Sequence, residues 1–305
     1  MAITKEIVDY SVWGKCIHIT NGREEVYVTI DFGPQIIRYG FVGKPNMFFE
    51  DVNDLQNKDL PKTGAFKNDK WHIFGGHRLW TSPEAYPQTY YPAADPAEYE
   101  LTENGCIVRQ QVQEYTNIQT EMKIEMSDNG VSIEHKLTNK NAWPVKLAPW
   151  AISVMAQGGT EIVPQPDKDT GLLNNRLLAL WPYTRLNDKR VTWGDKYIVL
   201  RQDTNVKCSF KFGLNGEKGF AAYLYEGMMF VKRHTHIDGA EYPDGGMSFE
   251  TYTDAKILEV ETIAPLTEIK PDGYALHTET WQLYDNITPD FSSDETIEKT
   301  IIKYI

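Results

Sequence analysis

Cysteine is scarce and scattered. Cys16, Cys106 and Cys208 are odd in number and widely spaced, with neither a disulfide pattern nor a metal-ligand spacing, so they read as buried free thiols. Positive charge is also in deficit: 31 Lys and Arg stand against 43 Asp and Glu, a formal net charge of −12. Nucleic acid and anionic membrane surfaces both select for clustered Lys and Arg, so neither is expected as a partner. No apolar run reaches the roughly 20 residues of a membrane helix, and the opening MAITKEIVDY has no signal-peptide core. The expectation is a cytoplasmic protein, or an exported one whose leader is absent from this sequence. There is no P-loop, dinucleotide glycine fingerprint, GxSxG elbow or HExxH helix, which removes support for nucleotide-dependent and serine-hydrolase chemistry. No cofactor and no metal is expected.

What is present is an ordinary globular chain of 305 residues, 41% hydrophobic and 24% charged, large enough to bury a core without disulfide or metal staples. It is rich in aromatics, with 8 Trp, 17 Tyr and 12 Phe. A large β core explains such a composition, and so does a neutral polyol ligand stacked on flat rings.

Period-2 alternation dominates. Val26, Val28 and Ile30 alternate with Glu25, Tyr27 and Thr29, and Met122, Ile124 and Met126 with Glu121, Lys123 and Glu125. One apolar and one polar face is the pattern of a half-buried antiparallel strand. Asn21-Gly22, Asn104-Gly105, Asn129-Gly130 and Asn215-Gly216 are hairpin candidates, because Asn-Gly tolerates the positive φ of a tight turn. Helical signal is sparse. NNRLLAL from Asn174 to Leu180 has room for a turn or two before Pro182. Ser292 and Glu295 predict a capping box, with Ile297, Ile301 and Ile305 at helical spacing behind it. Loop-rich stretches fall at Asp51–Asn68 and Pro83–Pro96. With no linker or repeat, residues 1–285 read as one antiparallel β domain, and 286–305 as a tail carrying a short helix.

Three segments have the residues for chemistry. In WHIFGGHRLWTSPE, paired glycines precede His77, Arg78, Trp80 and Glu84. They supply a group that exchanges protons near neutrality, a guanidinium fork, an apolar plate and a carboxylate; internally, Arg78 could instead pair with Glu84. In ILEVET, Glu259 and Glu261 project from one strand face, where mutual repulsion suits one of them to acid–base work; a solvated polar face is the plainer outcome. In KRHTHID, Lys232 and His236 offer sugar or anion contacts; His234 and His236 would share a strand face, but a metal set lacks its third and fourth ligands. Trp143, Trp150, Met155 and Trp181 are expected to pack in a core.

In order and content, these segments resemble the galactose-mutarotase-like (aldose 1-epimerase-like) superfamily. The likeness runs from VTIDFGPQIIRYGFVGKPNMFF, with its turn at Asn46, through Phe74-Gly75-Gly76 and the strand at Pro144–Met155. It continues through Leu258-Glu259-Val260-Glu261 to the Pro271–Gly273 turn and a last strand through Trp281. The resemblance implies an all-β fold, a large antiparallel β-supersandwich, with a short C-terminal helix and a sugar cleft on one concave sheet. It also implies a Glu/His pair that opens an aldose ring, with Glu259 at the place of the family's catalytic Glu. The chain departs from the pattern where members carry histidines: Phe74 precedes the glycine pair, and Trp150 stands in the mid-chain strand. The expectation is therefore an isomerase on a sugar or sugar-derived molecule, with Glu259 as base and His77 as acid. Arg78, Trp80, Glu84, Trp150, Lys232, His236 and Glu261 would be its substrate contacts. The alternative is a carbohydrate-binding protein that keeps the cleft without the chemistry.

Overall fold

The computed structural model describes residues 2–61 and 70–305. Part of the loop-rich stretch Asp51–Asn68 therefore lies outside the described residues.

The alternating segments become strands of two large antiparallel sheets. The larger has 11 strands, with His77–Ser82, Val145–Met155, Leu258–Ile263, Phe249–Thr253 and Phe210–Leu214 side by side in that order near one end. The second has 10 strands, with Phe220–Tyr225, Met228–Arg233, Tyr274–Tyr284, Gly130–Asn139 and Ile118–Ser127 adjacent across its middle. A two-stranded ribbon, Asn57–Asp59 with Lys70–His72, completes the described β structure.

The core lies between the sheets. Val26, Val28, Leu258, Val260, Phe210 and Phe212 from the larger sheet meet Met122, Ile124, Ile133, Phe230 and Trp281 from the second. These are the apolar members of the alternating runs, so burying one face of each sheet fixes the register. Each large aliphatic or aromatic side chain so buried contributes on the order of 1.5–3 kcal/mol. The outer face of the second sheet is covered by the C-terminal tail: Ile297 and Ile301 pack with Ile162, Val199 and Val231.

Several local expectations shift. Asn21-Gly22, Asn104-Gly105 and Asn129-Gly130 lie in or at turns between paired strands. Asn215-Gly216 does not: the strand before it belongs to the larger sheet and the strand after it to the second, so the segment is a crossover. NNRLLAL forms no helix. Leu178–Leu180 is instead a short edge strand paired with Phe212–Leu214, and its polar neighbour Asn175 accepts no helical turn because its carbonyl is taken by the Asn215 side chain. The tail helix runs Asp294–Thr300, and its capping box is Ser293 with Thr296, one residue later than Ser292 with Glu295. Thr296 serves because its hydroxyl accepts from the Ser293 backbone N–H, the task assigned to Glu in the sequence. Cys208 is exposed, unlike Cys16 and Cys106. Trp143 is 61% exposed rather than in a core.

Candidate functional site

The outer face of the larger sheet holds a cleft of about 470 Å³, within the range of roughly 300–1,000 Å³ typical of small-molecule sites. Strand alternation selects its floor. On His77–Ser82 the outward residues are Arg78 and Trp80; on Val145–Met155 they include Trp150 and Ile152; on Leu258–Ile263 they include Glu259. Lys211 and Tyr252 come from the next two strands, Trp71 from the two-stranded ribbon, and Glu84, Tyr90, Trp181 and Tyr183 stand on connections around them. Burying Leu258, Val260, Phe210 and Phe212 between the sheets forces Glu259 and Lys211 outward.

Three buried ion pairs, two of them sharing Lys211, organise this floor. Arg78 Nη2 donates to Glu259 Oε1 at 2.8 Å, and its guanidinium lies 4.4 Å from the Trp80 ring centre and 5.6 Å from that of Trp71. Arg78 thus pairs with Glu259 and not with Glu84, whose carboxylate accepts from the Tyr90 hydroxyl. Lys211 Nζ lies 2.7 Å from Glu250 and 3.0 Å from Glu261, and within 4.8 Å of the Trp150 and Trp181 ring centres. Burial pushes the Glu261 and Glu250 carboxyls above the usual range, to about 7 and about 8, although Lys211 pulls both back down. Burial also raises the Tyr90, Tyr183 and Tyr252 phenols, which keeps them protonated as donors.

The geometry corrects four of the site residues expected from sequence. His77 precedes Arg78 on a strand, so it points to the opposite face; it is fully buried between the sheets. Its Nδ1 is 2.9 Å from Ser153 Oγ and its Nε2 is 2.7 Å from His135 Nε2. Lys232 is also fully buried there, 2.9 Å from Glu279 Oε1 and donating to the carbonyls of Val260 and Ala151. His236 lies past the end of its strand in a separate cavity, 2.8 Å from Ser248 Oγ. Glu261 shares the outward face with Glu259 but lies beneath Trp150, whose Nε1 donates to it at 3.0 Å. Trp150 lines the cleft, yet it is only 4% exposed, with Trp80 edge-on against it, so it forms floor more than a free stacking plate. The paired glycines serve packing: a Cβ on Gly75 would sit 2.1 Å from the Phe49 carbonyl, and one on Gly76 2.3 Å from that of Ile36.

Lys211, Glu250, Trp71, Tyr90 and Tyr252 were not singled out from sequence. Lys211 carried a readable signal, a charged residue between Phe210 and Phe212 in an alternating run. Trp71, in a three-residue ribbon strand, and Tyr90, in a connection, carried none, because neither lies in a run long enough to show a period. Among the described residues no histidine lines the cleft.

The inner face has a polar cluster of its own. His135 Nδ1 donates to the His277 carbonyl at 3.1 Å, so its Nε2 accepts from His77 Nε2–H, and His77 Nδ1 in turn accepts from Ser153. Glu279 accepts from Thr262 and from Trp281 Nε1, and pairs with Lys232. Burial holds His77 well below its ordinary pKa and lowers His135 to about 4 and His277 to about 3. Burial alone would raise Glu279, but Lys232 and the imidazoles hold its carboxyl well below the ordinary range.

No protein-family model matches the chain, and no curated protein matches it in sequence. Solved structures do match in shape. A candidate aldose 1-epimerase from Klebsiella pneumoniae superposes with a TM-score of 0.61 at 12% identity, covering 99% of this chain and 86% of that one. A galactose mutarotase-like protein from Lactobacillus casei gives 0.54 at 11% identity, over 88% and 100% of the two chains. Another from Clostridium acetobutylicum gives 0.53 at 12%, over 93% and 98%. At these identities the likeness speaks for fold and not for activity. The chain has the galactose-mutarotase-like fold, an antiparallel β-supersandwich with one short C-terminal helix.

Proposed function

We propose that the protein binds a carbohydrate in the aromatic cleft and lacks the Glu/His acid–base pair of a mutarotase. One observation carries this reading. The cleft combines four indole rings with the Arg78–Glu259 pair, while His77 faces the other side of its strand. Flat rings bury the C–H faces of a sugar, and fixed charged groups bond its hydroxyls. Ring opening needs a base for the anomeric proton and an acid for the ring oxygen, each within about 3 Å of its proton. Glu259 meets the first need. No imidazole among the described residues lines the cleft to meet the second.

A second reading keeps the isomerase. In it Glu259, bonded by Arg78, would serve as base, and Glu84, which lines the same cleft, would serve in its protonated form as the acid in place of histidine. Both readings share one experiment: NMR of a sugar panel, read for binding by saturation transfer and for turnover by anomer exchange. Binding with unaltered exchange, retained in Glu259→Gln, supports the first. Accelerated exchange that Glu259→Gln abolishes replaces it with the second. Absence of any sugar contact defeats both.

A further inference from the structure

A second cavity, of about 350 Å³, lies away from the aromatic cleft, between three connections: residues 168–177, 215–217 and 236–246. Glu217, His236 and Asp238 come together in it, each offering one ligand atom, with all three atoms within 4.8 Å of one another. The imidazole is held on two sides. Its ring stacks on Tyr242 at 5.0 Å and 9°, and its Nδ1 lies 2.8 Å from Ser248 Oγ. Ser248 Oγ also accepts from Gly216 N at 2.9 Å. When Nδ1–H donates to the same oxygen, the Nε2 lone pair is free on the side of Asp238, whose Oδ1 lies 3.9 Å away. A partner on one nitrogen orients the other, as it does for metal-ligating histidines generally. Glu217 is fixed in the same way, its Oε1 accepting from Asn215 Nδ2 at 2.6 Å.

A second imidazole lies under the same loop. His234 is 8% exposed, and neither of its ring nitrogens has a hydrogen-bond partner. A Cβ on Gly216 would come within 2.9 Å of its Nε2. This cavity therefore has one oriented carboxylate, one exposed and adjustable carboxylate and one oriented imidazole, with a buried, uncommitted imidazole under the adjoining Gly216. The positive charge now facing the carboxylates comes from Lys168, an exposed side chain bonded to Asp238. An ion pair this exposed is weak, so a divalent cation displaces the ammonium at little cost.

We propose that Glu217, His236 and Asp238 form a divalent transition-metal site, with Zn²⁺ the best-matched ion. One imidazole nitrogen and two carboxylate oxygens are a borderline-hard set that suits Zn²⁺, and in the divalent series zinc outcompetes Mn²⁺ at such sites. Zinc bonds of about 2.0–2.2 Å draw the ligand atoms closer than they stand here, and the exposed Asp238 side chain is free to make that move. Three protein ligands leave the fourth position open to water or a ligand in the cavity. The proposal is independent of the sugar reading, since none of these residues lines the aromatic cleft.

The test is calorimetric titration of the tag-free full chain with Zn²⁺ near neutral pH, with Co²⁺ added separately and its visible ligand-field bands recorded. One equivalent is expected to bind. His236→Ala and Asp238→Asn should each weaken it about tenfold or more, and Lys168→Met should strengthen it by removing the competing ammonium. Unchanged melting curves for the apo variants establish that they fold. Absence of stoichiometric binding overturns the proposal, as does binding that His236→Ala and Asp238→Asn leave untouched. The latter would place the ion elsewhere, for example at the exposed His72–Asp54 pair.

Discussion

The two faces of the strand pair Val145–Met155 and Leu258–Ile263 make opposite use of polar residues. Inward, Lys232 donates to the Ala151 and Val260 carbonyls, Ser153 meets His77, and Thr262 bonds Glu279. Every polar atom of Lys232 and Glu279 has a partner, and His77 and His135 are bonded to one another and to Ser153 and the His277 carbonyl. Outward, Glu261 Oε1 is buried without a hydrogen bond, and Arg78 leaves Nε and Nη1 unpartnered. A network that is satisfied holds structure; one left incomplete beside a cavity is suited to binding. The imidazoles of His77, His135 and His277 therefore lie on the side away from the cleft.

The sharpest break of this comparison is in the inner network. Lys232→Met strands Glu279 as an uncompensated buried charge and should destabilise the protein by about 3–5 kcal/mol in urea unfolding. The double change Lys232→Met with Glu279→Leu should recover most of that loss. A double variant as unstable as the single one would mean that the pair is not a self-contained unit. His77→Gln is expected to be milder, at about 1–3 kcal/mol from disturbed buried hydrogen bonds, with sugar affinity unchanged. Lost affinity at retained stability would bring His77 back into the site.

One group from each face, His135 inward and Glu250 outward, should differ in the sign of its pH dependence. His135 has a folded pKa of about 4, below its unfolded value, so between about 4 and 6.5 the unfolded state binds the extra proton and stability falls as pH falls. Glu250 has a folded pKa of about 8, above its unfolded value, so from about 4.5 to 8 the folded state holds the extra proton and stability falls as pH rises. Relative to the parent chain, His135→Gln should gain stability on acidification and Glu250→Gln on alkalinisation. Each drift is at most about 1.4 kcal/mol per pH unit, measured by denaturant unfolding across the range. Drifts of the same sign would erase the distinction. Trp181→Ala should have the smallest effect on stability, within about 0.5 kcal/mol, since it lies at the cleft and outside the core clusters. It should weaken sugar binding about tenfold, or roughly 1.4 kcal/mol. An unaltered titration would remove Trp181 from the binding surface.

Much of the fold was legible because burial and alternation are the same constraint. Leu258 and Val260 had to face the core, which put Glu259 and Glu261 on the other side, as expected. The same rule was available for His77 and Arg78, successive residues of one strand that cannot share a face. Of the two, Arg78 faces the cleft and His77 the space between the sheets. Lys232 follows the parity of Phe230 into the space between the sheets, and His236 lies beyond the strand end at Arg233, so the alternation that joined His234 to His236 did not apply. The pairing of Arg78 with Glu259, 181 residues apart, and of Lys211 with Glu250 and Glu261, depends on sheet order, which no local pattern encodes.

The central claim, a sugar site on the outward face alone, is tested most directly by the indole N–H resonances of the eight tryptophans. Trp71, Trp80, Trp150 and Trp181 line the cleft, while Trp281 lies between the sheets against His77. On titration with a bound sugar, the first four should shift in step and Trp281 should stay fixed. A shift of Trp281 without the cleft tryptophans would contradict the account.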